Sequence, residues 1–140
     1  MTAPSPNLRE MHEAQLVRAF LLPQRQSRYL ELLPNPRRRK DLTCTLAHFK
    51  HIDPRWAVTI PARLQHAPDI FELLKSKGAP PMCYAISEDD DLDGKEFPLL
   101  EALKEIVGAG VGTFLSCLPG QLAYFEDEDG RCILEHRAKD

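Results

Sequence analysis

Residues 111–136, VGTFLSCLPGQLAYFEDEDGRCILEH, decide the fold of this chain. They contain three runs rich in apolar, β-branched and aromatic side chains, at 111–118, 121–126 and 131–136. Pro119 and Gly120 separate the first two runs, and residues 128–130, Glu-Asp-Gly, separate the last two. These residue types favour tight turns, and tight turns join antiparallel strands. The segment therefore predicts a three-stranded antiparallel meander.

Upstream of this meander, the pattern indicates two strands that alternate with two helices. Residues 56–60 show the two-residue apolar alternation of a half-buried strand. The elements predicted after it are a helix at 68–77, a strand at 82–87 and a helix at 98–107. A proline at the start and a glycine after the end mark both helices. Because helical crossovers favour parallel neighbours and hairpins favour antiparallel ones, we expect a mixed sheet with helices packed on it.

The N-terminal third of the chain favours helix. Helices are predicted at 8–22, at 23–33 and from residue 36 to about 49 or 51, because these stretches lack internal breakers and prolines separate them. Asn35 and Pro36 suit the N-cap and the first position of the third helix. We expect residues 1–7 to form a flexible tail. The 140 residues therefore predict a single domain, residues 1–140, of the α+β class.

Composition excludes several classes of protein. Hydrophobic residues make up 43% and charged residues 28% of the chain, which excludes collagen-like, low-complexity and wholly disordered chains. No apolar run approaches the roughly 18 residues of a membrane-spanning helix, and the first residues lack the pattern of a secretory leader. We therefore expect a cytoplasmic protein without membrane contact. The cysteines show no Cys-x-x-Cys spacing, and we expect Cys83, Cys117 and Cys132 in the core.

Charge is distributed unevenly along the chain. Residues 1–55 carry ten Lys and Arg against five Asp and Glu, a net charge of +5, whereas residues 56–140 carry eight against sixteen, a net charge of −8. This asymmetry favours a polyanionic partner for the first part of the chain. It also allows the two parts to attract each other, and both interpretations stay open.

Basic residues of the predicted helices form the first candidate site, for a partner or for phosphate. They are Arg25, Arg28, Arg37, Arg38, Arg39 and Lys40. Four consecutive cations at the start of a helix can bind an anion, since free backbone N–H groups and the helix dipole already favour negative charge there. The cluster is short and the whole chain has a net charge of −3, so a protein partner is favoured over RNA or DNA. A solvated face, or contact with the acidic half, is the alternative.

The predicted third helix carries a second candidate site. At about 100° per residue, Cys44, His48 and His51 share one face of this helix. Thiol and imidazole groups bind zinc, and Asp53 just beyond the helix offers a further ligand. Cys44 can instead be a nucleophile with His48 as its base. The three positions extend roughly 10 Å along the helix, too far for all three to hold one ion, so a polar face without chemistry is the alternative.

The acidic segment of residues 89–96 is the third candidate site. Its alternate aspartates followed by glycine match the opening of a calcium-binding loop, in which such carboxylates converge. The match ends at Leu100, which stands where a bidentate glutamate is required, and this excludes an EF-hand. A looser calcium or magnesium site stays open, with a solvated turn as its alternative. Its ligands would be Asp89, Asp91, Asp93 and Glu96.

Taken together, the sequence predicts a regulatory or interaction module without enzymatic activity. It binds a macromolecule through its basic N-terminal helices: a protein partner, or a second copy of the chain whose acidic loops meet those helices, with nucleic acid as a further possibility. The first alternative is a metal- or cysteine-dependent enzyme that uses Cys44, His48, His51 and Asp53. The second is a divalent-cation-binding module at residues 89–96. No cofactor is expected under the main hypothesis, and zinc or calcium under the alternatives.

Overall fold

A computed structural model describes residues 6–136 of the chain. Within this range, six strands form a single sheet, and helices cover both of its faces. The helices are concentrated in the N-terminal part, before the first long strand. The predicted α+β class, with a helical N-terminal third, is confirmed.

The N-terminal third contains three α-helices and several short 3₁₀ turns. The α-helices are α1 (Pro6–Phe20), α2 (Gln26–Leu32) and α3 (Arg39–Thr43), and the 3₁₀ turns are Pro23–Arg25, Leu46–His48 and Pro54–Trp56. Residues 1–5 of the predicted tail lie outside the described range, and Pro6 and Asn7 belong to α1. Across residues 6–136, no helix is long and apolar enough to cross a bilayer.

The rest of the described chain contributes the strands and two further helices. The strands are β1 (Ala57–Val58), β2 (Met82–Ser87), β3 (Glu96–Pro98), β4 (Thr113–Leu118), β5 (Leu122–Asp127) and β6 (Gly130–Glu135). The helices are α4 (Ala67–Ser76) and α5 (Leu99–Ile106), and a 3₁₀ turn, Ala62–Leu64, precedes α4. The order across the sheet is β1-β6-β5-β4-β2-β3, and every neighbouring pair is antiparallel.

The expectation of a mixed sheet is wrong, because the strands that a helix connects are not neighbours. β1 and β2, on either side of α4, run in the same direction but have three other strands between them. β3 and β4, on either side of α5, also run in the same direction, with β2 inserted between them. The predicted meander is β4, β5 and β6. The sequence pattern does not predict β3, since this strand of three residues pairs only with the first half of β2.

The sheet separates two hydrophobic cores. Side chains alternate across a strand, so Tyr84 of β2 faces α1, α2 and α3, whereas its neighbour Cys83 faces α4 and α5. Cys83 and Cys117 are buried in the second core, as predicted, and Cys132 is half-buried against the first. Helices therefore cover both faces of the sheet.

The predicted third helix is shorter than expected at both ends, because the end of the sheet shapes its backbone. α3 covers five residues, and a separate 3₁₀ turn follows it. The carbonyl oxygen of Ala47 accepts a hydrogen bond from the backbone N–H of Glu128 at 3.2 Å. A Cβ on Gly112 would lie 2.3 Å from the carbonyl carbon of Leu46, so these two backbones are in direct contact. Tertiary contacts thus override the helical propensity of this segment.

Gly112→Ala should destabilise the fold more than Gly108→Ala. The added methyl group must displace the backbone of Leu46, which we expect to cost about 3 kcal/mol, the upper end for overpacking. Gly108 has a φ of +86° and nothing within 4 Å of its Cβ position, so the control variant carries only a conformational cost of about 1–2 kcal/mol. Urea unfolding of both variants measures the difference. Equal losses would show that the Gly112 contact does not constrain the fold.

A buried polar contact joins α1 to the sheet. The Nδ1 atom of His12 lies 2.7 Å from the hydroxyl oxygen of Ser116 in β4. The imidazole stacks on the ring of Tyr84, with ring centroids 5.2 Å apart. Burial lowers the pKa of His12 below its ordinary value of 6.5, because the charged imidazolium would lose its hydration. The fold therefore accommodates the neutral form of this histidine.

His12→Gln should remove part of the acid sensitivity of the fold. The unfolded chain takes up a proton at His12 near pH 6.5, whereas the folded chain takes it up only at lower pH. Stability linked to His12 is thus present above this pH and is lost as the pH falls. The excess free energy of unfolding of the wild type over the variant should shrink from about pH 8 to about pH 5. Urea unfolding across this range is the measurement, and an excess that does not change with pH would contradict the assignment.

Candidate binding surface

The predicted basic residues do not form one surface, because Arg39 is mostly enclosed between two carboxylates. Its side chain is 14% exposed. Its Nη1 and Nη2 atoms lie 2.9 and 2.6 Å from the two oxygens of Glu13. Its Nε and Nη2 atoms lie 2.7 and 3.0 Å from the two oxygens of Asp93. Since Glu13 belongs to α1 and Asp93 to the loop between β2 and β3, Arg39 connects three parts of the chain.

The carboxylates that bind Arg39 have further hydrogen bonds. Glu13 accepts one from the hydroxyl of Tyr84 at 2.6 Å, and Asp93 accepts one from the backbone N–H of Ser87 at 3.0 Å. Burial lowers the pKa of Arg39, but the hydrogen bonds and charges of the two carboxylates outweigh it and raise that pKa above its ordinary value. Arg39 is therefore a cation that the fold itself uses.

Arg38 and Lys40 are also paired within the chain. Arg38 lies 3.4 Å from Glu31 and 3.6 Å from Asp41, and Lys40 pairs with Asp90. These side chains are substantially exposed, so each pair contributes little to stability. Their charges are nevertheless balanced locally. This arrangement fits the alternative in which the basic and acidic parts of the chain attract each other.

The carboxylates of the predicted acidic site do not converge on one point. Asp93 binds Arg39, and the carboxylate of Asp89 accepts the backbone N–H of Asp91 at 2.9 Å. Glu96 belongs to β3. In the part of the chain that the structure describes, no group of three or more His, Cys, Asp or Glu side chains is placed to hold a metal ion. The arrangement therefore gives the calcium or magnesium hypothesis no support.

The structure does not bring together the residues of the predicted zinc or nucleophile site. Their contacts are separate: His48 lies 3.0 Å from Glu128 and 3.1 Å from Asp129, the Nδ1 atom of His51 is hydrogen-bonded to the hydroxyl of Tyr29, and Asp53 lies 2.7 Å from Arg55. Cys44 is exposed. The shared face depended on a continuous helix, and that helix ends with α3. The imidazolium of His48 donates a hydrogen bond to the carboxylate of Asp129, and this bond together with the negative charge of that carboxylate raises the pKa of His48.

Two of the predicted basic residues border a cavity of about 320 Å³ between α2 and the segment that follows α3. This basic cavity is lined chiefly by Arg25, Arg28, Tyr29, Phe49, Lys50 and His51. Its three cations are exposed, and none forms an ion pair with another residue in the range 6–136. Its buried tyrosine and phenylalanine form an aromatic floor.

Ring contacts, and the hydrogen bond between Tyr29 and His51, hold the aromatic floor in place. The ring centroid of Phe49 lies 5.8 Å from that of Tyr29 and 5.6 Å from that of His51. Burial lowers the pKa of His51, and the charge of Arg25 lowers it further. Burial raises the pKa of Tyr29, while the charges of Arg25 and Arg28 oppose this shift. Both arginines therefore lie near enough to act electrostatically on the floor.

Acidic groups at the edge of the basic cavity are already paired. Asp41 is the acidic residue in its lining, and it contacts Arg38. The cavity therefore keeps a positive charge, and it can hold an anionic group against an aromatic surface. The sequence analysis predicted Arg25 and Arg28 as binding residues, but it singled out neither Lys50 nor Tyr29. The one local signal is the adjacency of Arg28 and Tyr29, which is too common in proteins to identify a site.

No protein-family model, curated protein or solved structure matches this chain. The function proposed below is therefore supported by the contacts and charges of the chain itself.

Arg39→Met should destabilise the fold far more than Lys40→Met, although the two residues are neighbours in the same basic run. Removing Arg39 leaves Glu13 and Asp93 as poorly compensated charges, which costs about 3–5 kcal/mol for a buried pair. Lys40 pairs with Asp90 at the surface, so its loss should cost at most about 0.5 kcal/mol. Urea unfolding measures both values. Similar small losses in the two variants would mean that the buried pair matters no more than the exposed one.

Proposed function

We propose that this protein is a binding module whose basic cavity receives an acidic segment of a protein partner. Its strongest support is the set of three exposed cations, Arg25, Arg28 and Lys50, for which the described residues provide no acidic partner. Arg38, Arg39 and Lys40 are, in contrast, balanced within the chain. A carboxylate of the partner would supply the missing counter-charge.

The shape and chemistry of the cavity favour an extended segment. A volume of about 320 Å³ suits a few side chains and is too small for a folded element. Arg25 and Arg28 lie three residues apart around the start of α2, and a guanidinium group binds a carboxylate through two parallel hydrogen bonds. Tyrosine and arginine are also the residue types that most often dominate the binding energy of protein interfaces.

Acidic residues around the cavity disfavour a nucleic-acid partner. Glu128 and Asp129 contact His48, which lines the cavity. Asp90, in the loop after β2, pairs with Lys40 of the neighbouring α3. A nucleic acid needs a continuous basic track for its phosphates, and these carboxylates would interrupt such a track. A short acidic peptide segment needs only the cavity itself.

The cysteine-dependent alternative receives less support from the same residues. Cys44 is not part of the lining of the basic cavity, and both ring nitrogens of His48 face carboxylates. A base that activates a thiol needs a nitrogen directed at the sulfur. We therefore favour binding over nucleophilic catalysis.

Arg25→Glu combined with Arg28→Glu should weaken binding of an acidic peptide by about tenfold or more, since two attractive contacts become repulsive. The probe is a short fluorescein-labelled peptide of alternating glutamate and phenylalanine, and fluorescence anisotropy at low and physiological salt gives its Kd. An RNA oligonucleotide of equal charge should bind more weakly to the wild type than the peptide does.

The matched control is Arg37→Glu combined with Arg63→Glu, which changes the net charge equally. Both arginines are exposed and lie outside the basic cavity. We expect this control to change the Kd less than about twofold. Equal losses in the two double variants, or tighter binding of the RNA, would contradict the proposal.

A further inference from the structure

A second, larger cavity lies between α1 and α2, on the other side of α2 from the basic cavity. This α1–α2 cleft has a volume of about 550 Å³. It is lined mainly by Arg9, Glu13, Arg18, Leu30, Leu33 and Pro34. Sites for small molecules typically occupy about 300–1,000 Å³. The cleft is therefore large enough for a small organic ligand, and none of its residues belongs to the lining of the basic cavity.

The side of the cleft that α2 and the residues just after it contribute is apolar. Leu33 is buried and Leu30 is half-buried against the core under α1 and α2. Pro34 continues this wall beyond the end of the helix, and Ala14 of α1 faces it with a small side chain. A ligand in the cleft would remove this apolar surface from water, which favours binding of a hydrocarbon body.

Two guanidinium groups lie close together at one end of the cleft, and one of them has no ion-pair partner among the described residues. A Cβ on Gly94 would lie 3.9 Å from an Nη2 atom of Arg9 and 3.9 Å from one of Arg39, so two guanidinium groups meet at this point. Arg39 binds both nearby carboxylates, Glu13 and Asp93. Arg9 is exposed and forms no ion pair with any residue that the structure describes. Its guanidinium donors are therefore available to an anion.

Glu13 also lines the cleft, but its ion pair is with Arg39 and not with Arg9. Both of its oxygens are engaged, one by Arg39 and the other by Arg39 and the hydroxyl of Tyr84. Glu10 is the remaining acid in the lining, and it is exposed on α1. Arg18 lies nearer the other end of α1, where its hydrocarbon stem can extend the apolar wall while its charge stays in water.

We propose that the α1–α2 cleft binds a small amphipathic carboxylic acid. Its carboxylate pairs with Arg9, and its hydrocarbon body lies along Leu30, Leu33 and Pro34. The cleft combines an apolar wall with the guanidinium of Arg9, which has no ion-pair partner among the described residues, and this combination is complementary to a ligand with a hydrocarbon body and a carboxylate. The proposal is independent of the function assigned to the basic cavity.

The test is isothermal titration of the full chain with decanoate below its micelle concentration, with decanol and decylamine as ligands of equal chain length. We expect saturable binding of decanoate, weaker binding of decanol and none of decylamine. Arg9→Gln should raise the Kd of decanoate by about tenfold and leave the Kd of decanol unchanged, because the substitution removes one charged contact. Ala14→Phe should raise the Kd of both decanoate and decanol, since the larger side chain fills the cleft.

Two matched controls make the outcome specific. Arg37→Gln and Arg63→Gln each remove an exposed arginine that lines neither the cleft nor the basic cavity, and neither change should alter the Kd of decanoate. Urea unfolding confirms that each variant is folded. No saturable binding of decanoate, equal affinity for decanoate and decanol, or an unchanged Kd in Arg9→Gln would each overturn the proposal.

Discussion

The buried ion pairs of Arg39 are the interaction on which the rest of the structure depends. This guanidinium joins α3 to Glu13 of α1, to Asp93 of the loop between β2 and β3, and to the backbone carbonyl of Leu33 just after α2, at 3.1 Å. A buried charge is tolerated only when its partners compensate for lost hydration, so these elements must assemble together. The helical layer is thereby fixed to one end of the sheet.

The opposite face of the sheet is organised by a second buried carboxylate. Glu126 of β5 is 1% exposed, and it accepts hydrogen bonds from the hydroxyl of Tyr124 at 2.6 Å and from the backbone N–H groups of Gly108 and Gly110, both at 3.0 Å. These contacts hold the loop after α5 against the sheet. Glu126 thus attaches the loop after α5 to the face of the sheet that packs against α4 and α5.

Because Arg39 is paired inside the fold, its charge is not available to a ligand at the surface. Arg38, Arg39 and Lys40 of the basic run have acidic partners within the chain, whereas exposed arginines line a cavity on each side of α2. One side is the basic cavity, with Arg25 and Arg28 over an aromatic floor. The other is the α1–α2 cleft, with Arg9 at the end of an apolar wall. The two cavities differ in size and polarity, which is why we propose a different ligand for each.

The sequence by itself determined the elements whose signals are local. The alternation in residues 82–87, the prolines and glycines that bound α4 and α5, and the two turns of the meander each depend on neighbouring residues, and β2, α4, α5 and β4 to β6 lie within a few residues of the predictions. The tertiary structure alone decided the strand order, the end of α3 and which residues of the basic run are paired with carboxylates. Nothing local distinguishes Arg39 from Arg37, because its burial depends on Asp93, 54 residues away in the chain. Pairing partners, backbone contacts such as that of Gly112 with Leu46, and the counter-ions of charged groups are long-range interactions, and a pattern of neighbouring residues cannot encode them.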